Sequence, residues 1–240
     1  MIDYKKKYIK TIRLNSFRPL CITEIGIRAV NEFGFKPFID ASCRREPDFE
    51  SDYPSITSLC RQEMFAPKLY PNDIVVYITV KGKWLTDYDH YRLIAILEVI
   101  ERKEDHLSAA LWYGKNSELG LPSNCMVDDN YPYCFHETAG NFSKGGDVKR
   151  FLSHTMEKQA IMGERRVQLW NDEYLEKSKK WGAFIITKPI FRELTNPPIL
   201  LDDDMMKIFG RVPNTRNPNK ITKEQFIELA RYAGVNVLHT

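Results

Sequence analysis

KPFIDASCRREPDFESDYPSITSLCRQEMFAPKLYPNDIVVYIT, residues 36–79, is the stretch whose reading decides the fold. Its apolar start, residues 35–41, predicts a short strand running into a polar cluster of Asp40, Ser42, Cys43, Arg44, Arg45 and Glu46. Pro54 to about Met64 predicts a helix primed by its proline and carrying Ser55, Ser58 and Arg61. Pro71-Asn72-Asp73 predicts a turn, and IVVYIT a second strand. Charged groups at the end of a buried strand cost free energy unless they are paired or face a ligand. The cluster is therefore the candidate site. Mutual pairing of Asp40 with the arginines, which would only pin a loop, is the alternative reading.

Working outward, residues 1–20 hold Lys5, Lys6, Lys7, Lys10, Arg13 and Arg18 against one aspartate, with Ile12 and Leu14 interleaved. This predicts a structured basic arm, able to touch phosphates or to form a solvated face. Thr23 and the spacing of Ile25, Ala29, Val30 and Phe33 predict a helix stopped by Gly34. Beyond the deciding stretch, Lys81-Gly82-Lys83 is a tight turn, and WLTDYDH (84–90) predicts a loop over the mouth of the fold. YRLIAILEVIE (91–101) is a central strand with Leu93, Ala95, Leu97 and Val99 on one face and Ile94, Ile96 and Ile100 on the other.

Residues 106–115 predict a short helix, and 116–146, punctuated by Gly and Pro, a long loop containing Asn124. Asn124 can offer its amide to a base edge or close an Asx turn. Residues 147–180 turn helical with mixed charge, and 181–194 return as a strand that Pro189 marks as an edge, bulge or end. In the tail, the Asp202–Asp204 run suits a helix N-terminus. Residues 207–220 carry Arg211, Arg216 and Lys220 and no acid, and Thr222 with Gln225 forms a capping box for a last helix.

Composition narrows the function. The net charge of +3 is mild, so affinity for a polyanion must come from local patches. Five cysteines without a CxxC pair argue for reduced thiols in a cytoplasmic protein. The start lacks a signal-peptide pattern and no run reaches the ~20 apolar residues of a membrane span. Cys125, Cys134 and His136 are too widely spaced for an ordinary structural zinc site. Neither a Walker A motif nor a GxSxG elbow occurs, so no metal and no cofactor are expected. Base recognition remains: donors and acceptors for a base edge, aromatics to stack (Trp84 foremost, then Tyr77, Tyr88 and Trp112), and two basic stretches for phosphates.

FIDASCRREPDFE, PSITSLCR, FAPKLYPNDIVVYIT and YRLIAILEVIE resemble the PUA-like barrel superfamily, whose branches include the EVE, ASCH, YTH and nucleotide-modification-associated domains. The resemblance spans roughly residues 33–200, and Leu121–Cys125 is similar to a segment of the nucleotide-modification-associated branch. The ASCH pattern Gly-x-Lys-x-x-Glu-x-Arg is matched by Gly34 and Lys36, but Ile39 and Ala41 occupy its acidic and arginine places. Asp40 lies one residue late, a shift that flips a strand side chain, so no ASCH catalytic role is carried over.

The resemblance implies an α+β protein on a small open β-barrel with packed helices. Residues 1–200 would form that domain, with 201–240 as a helical appendage packed on it and open to a protein partner. It also implies a nucleic-acid-binding module that reads a modified base. Asp40, Ser42, Ser55 and Asn124 would meet the base edge, Arg44, Arg45 and Arg61 the phosphate, and Trp84 would stack. The alternative is a hydrolase or nuclease using Asp40 with Lys36 or Lys68.

Overall fold

The computed structural model describes residues 11–22, 24–40, 47–58, 61, 64–119, 178–213 and 218–236. The expected loop 116–146 and helical region 147–180 lie almost wholly outside them, as do Ser42, Arg44, Arg45 and Asn124. The chain is a mixed α+β fold built on one seven-stranded sheet. Its strands are β1 (Ile12–Phe17), β2 (Ser55–Thr57), β3 (Ile74–Thr79), β4 (Tyr91–Lys103), β5 (Phe184–Arg192), β6 (Ile199–Leu200) and β7 (Asn219–Ile221). The order across the sheet is β2-β5-β4-β3-β1-β7, with β6 paired to β4. Among the described residues no ladder joins β2 to β7, so the pairing is that of an open sheet. The four described helices are α1 (Glu24–Phe33), α2 (His106–Asn116), α3 (Asp202–Phe209) and α4 (Lys223–Tyr232). None is long and apolar enough to cross a membrane.

The sheet is packed on both faces. β3 alternates cleanly: Val75 and Tyr77 join a cluster with Phe17, Phe38, Phe49, Leu97 and Ile185. Ile74, Val76 and Ile78 join another with Ile12, Leu14, Leu93 and Ile96, covered by Met205 and Ile208 of α3 and Phe226 and Leu229 of α4. A third, smaller cluster seats α2 on Phe184 and Ile186. Residues 201–240 thus do more than pack outside the domain. They supply a strand of the sheet and one wall of its core.

Local signals set most helix ends. Gly34 and Gly210 adopt left-handed φ just past α1 and α3, the conformation that glycine tolerates best. Asp105 caps α2 through the Ser108 N–H at 2.7 Å. Thr222 and Gln225 close the expected reciprocal box on α4, at 3.3 and 3.0 Å. Tyr232 then donates to Asp204 at 2.6 Å, tying α4 to α3.

Three expectations are corrected. Residues 55–57 are a strand, not a helix: β2 pairs antiparallel with β5. Pro54, lacking an N–H, stands at its start and offers only its carbonyl, which accepts from the Thr187 N–H at 3.0 Å. Of the expected strand 35–41, residues 35–40 are described, and they form no strand. Pro37 and Ile39 give their carbonyls to Cys21 and Leu20, Phe38 donates to Leu194, and Asp40 makes one isolated bridge with Pro19. Finally, β4 does not alternate throughout. Ala95 opposes Tyr77 but Leu93 opposes Ile78, so Ile94 is an extra residue. That bulge puts Ile94 beside Ala95 and Leu97 and sends Leu93 to the opposite face. A similar shift in β5 falls beside Pro189, beyond the part that β2 pairs, so the proline marks both a bulge and an open edge.

Candidate nucleic-acid interface

β1 brings the two basic stretches of the chain together. It lies parallel to β3 on one side and antiparallel to β7 on the other, with Arg13 directly opposite Lys220. Residues opposed in an antiparallel pair share a face, and like charges so placed repel. Neither side chain makes an ion pair among the described residues. Arg13 reaches the Lys68 carbonyl with Nη2 at a long 3.5 Å, and its Nε is buried with no acceptor. Two residues along the same face, Asn15 is 7% exposed and its Oδ1 also has no donor. Arg61, held in left-handed backbone at φ 68°, donates to the Ser16 carbonyl at 3.4 Å. Arg13 and Asn15 therefore share one face of β1, with Lys220 across the ladder, the Lys68 carbonyl beside Arg13 and the Arg61 guanidinium on the Ser16 carbonyl.

A rigid turn borders this group. Asp73 is buried, and its carboxylate accepts from the N–H of Thr11 at 2.9 Å and of Tyr70 at 3.0 Å. The expected 71–73 turn thereby fastens the entry of β1 to that of β3. Arg102 donates to the carbonyls of Pro67 at 2.8 Å and Leu69 at 3.2 Å, and its guanidinium stacks on the Tyr70 ring at 4.9 Å. Glu104 pairs with Arg102 at 2.7 Å, which holds the Arg102 pKa above and the Glu104 pKa below their usual values.

The expected site residues are spread more widely. Asp40 is buried at its bridge with Pro19. Lys36 and Lys68 are both exposed, and among the described residues neither pairs with it. Ser55 is buried inside the β2–β5 pairing, opposite Ile186. Trp84 is 5% exposed, its indole N–H donates to the Val80 carbonyl at 2.8 Å, and its ring lies over Gly82. A Cβ on Gly82 would come within 2.4 Å of that ring, so glycine is what lets the indole lie flat. Trp84 is a core residue here and offers no open face. Tyr77 is buried against Phe17 and Phe49, Trp112 leans on Tyr53, and Tyr88 is exposed beside His90.

A second polar cluster escaped the sequence reading. Arg92 is 6% exposed and donates Nε to His90 Nε2 at 2.8 Å, Nη1 to Asn196 and the Pro197 carbonyl, and Nη2 to the Trp84 carbonyl. His90 Nδ1 faces the Tyr88 carbonyl at 3.0 Å. A carbonyl only accepts, so the proton sits on Nδ1 and Nε2 is free to receive the Arg92 donor. The imidazole is neutral, and burial pushes its pKa down, helped by Arg92. Burial also lowers the Arg92 pKa and raises that of Cys21 to about 12, so that thiol is no nucleophile. Among the described residues no group of three metal-ligating side chains occurs. No family model, no curated protein and no solved structure matches the chain.

Proposed function

We propose that this protein is a nucleic-acid-binding module, with the β1–β7 edge as its phosphate-contacting surface. The observation that carries the reading is the register that sets Arg13 opposite Lys220, with Arg13 Nε unanswered. Two cations held side by side are stabilised by an anion between them, and a phosphate backbone supplies such anions in series. Arg61 adds a further cation beside β1. The resemblance of residues 33–200 to PUA-like barrels supports the same reading. On that view the sheet is the open barrel, a modified base enters beside Asp40, Ser42 and Asn124 are the further candidates for its edge, and Arg44 and Arg45 those for its phosphate.

The test is binding of the purified protein to unmodified and modified single- and double-stranded oligonucleotides across salt concentration. Lys220→Ala should weaken binding uniformly and reduce the salt slope by about 1. An unchanged affinity and slope would remove Lys220 from the interface. Turnover of a modified nucleoside, abolished in Asp40→Asn, would instead place the protein among hydrolases.

A further inference from the structure

We infer that Tyr70 is the stacking platform of this interface and that the bound form is single-stranded, an inference that rests on the nucleic-acid reading above. Tyr70 is 58% exposed and sits on a turn held by several hydrogen bonds. Both ends of the turn are fixed. The Tyr70 N–H is held by Asp73 Oδ2, and the Tyr70 carbonyl receives the Asp73 N–H, both at 3.0 Å. Asn72 donates to Val99 at 2.8 Å from left-handed backbone at φ 77°. The preceding residue, Leu69, is fully buried. The ring is thus displayed with little freedom left to lose on binding.

One side of the ring is occupied by the Arg102 guanidinium at 4.9 Å. A planar cation there leaves the remaining exposed ring surface to solvent or to a ligand, and every base has a π-face to stack on it. Arg102 is neutralised by Glu104 and acts as backing for the ring, not as a phosphate ligand. The phosphate ligands lie next to it. Lys68 is two residues before Tyr70, and its carbonyl is the atom that Arg13 holds. Lys220, Arg13, Lys68 and Tyr70 therefore run as a track from the sheet edge to the turn. Bases stacked inside a duplex have no free face for Tyr70, so the track fits a single strand.

The experiment compares Tyr70→Ala and Tyr70→Phe with the unaltered protein. Three probes are used: a single-stranded oligonucleotide, the same backbone with abasic positions, and the duplex. Urea unfolding of each variant verifies that the turn survives. Tyr70→Ala should lose about tenfold in affinity for the single strand, the value of one base–aromatic stack, with an unchanged salt slope. Tyr70→Phe should retain the affinity, and the abasic strand should not distinguish the three proteins. Equal binding of the single strand by Tyr70→Ala and the unaltered protein would overturn the inference, as would an equal loss on the abasic strand. Failure of the unaltered protein to bind any probe at low salt would overturn the nucleic-acid reading itself, a result separable from either of these.

Discussion

Arg92 and Arg13 are both drawn into the protein, and they differ in what answers their donors. Arg92 is ringed by neutral acceptors, His90 Nε2, Asn196 Oδ1 and the carbonyls of Pro197 and Trp84, with the Phe38 ring 5.5 Å from its guanidinium carbon. Arg13 has one long bond, an idle Nε and a lysine across the ladder. A buried guanidinium whose three nitrogens all find acceptors holds a structure together, because each unmet donor would cost its desolvation. One with an idle Nε and a like charge opposite contributes less to the free protein, and it is there that the proposed phosphate contact falls. Saturation separates architecture from function more sharply than burial does.

That contrast can be broken in three ways. Arg92→Met keeps the stem but strips donors from four acceptors at once, and should cost about 3 kcal/mol in urea unfolding. A loss below ~0.5 kcal/mol would show that the cluster is not structural. A smaller effect should follow pH. His90 is held neutral, with its pKa depressed by burial and Arg92 and opposed only by the Tyr88 carbonyl and Asp89. Its contribution is therefore fully present above the unfolded pKa of about 6.5 and declines as pH falls below it. Urea midpoints should drop as pH falls below about 6.5 in the unaltered protein, and less steeply in His90→Gln. Parallel curves would exonerate His90. The smallest effect on folding belongs to Arg13→Met, which removes a repulsion along with one long hydrogen bond. Stability should move by less than about 0.5 kcal/mol while oligonucleotide affinity falls. A stability loss matching that of Arg92→Met would erase the distinction.

Much of the fold was legible because its signals are local. The capping box at Thr222 and Gln225, the Asp202–Asp204 run and the β-branched run of β3 each declare an element within a few residues. What escaped was set by distant partners. Ser55–Thr57 follows a proline that suits a helix start, and only pairing with β5 makes it a strand. The bulge at Ile94 is invisible in an unbroken apolar run. At the site, Arg13 and Lys220 could be read as members of basic stretches, but not as neighbours. The alternation of Ile12, Arg13, Leu14 and Asn15 was the available clue that the first half of β1 turns polar side chains to one face, before Phe17 returns that face to the core. Trp84 looked exposed in its polar setting because the Val80 carbonyl and the bare surface of Gly82 do not show in sequence.

The pairing of β1 with β7 also imposes an order in time. During synthesis β1 is made long before β7, and β3, its parallel neighbour, can dock first. Until residues 219–232 emerge, β1 keeps a bare hydrogen-bonding edge, and Ile12, Leu14 and Val76 lack the wall supplied by Phe226 and Leu229. An open edge beside uncovered apolar surface is what recruits a second nascent chain. Arg13, midway along that edge, carries its charge throughout this interval, so the residue that weakens the finished ladder also guards the unfinished one.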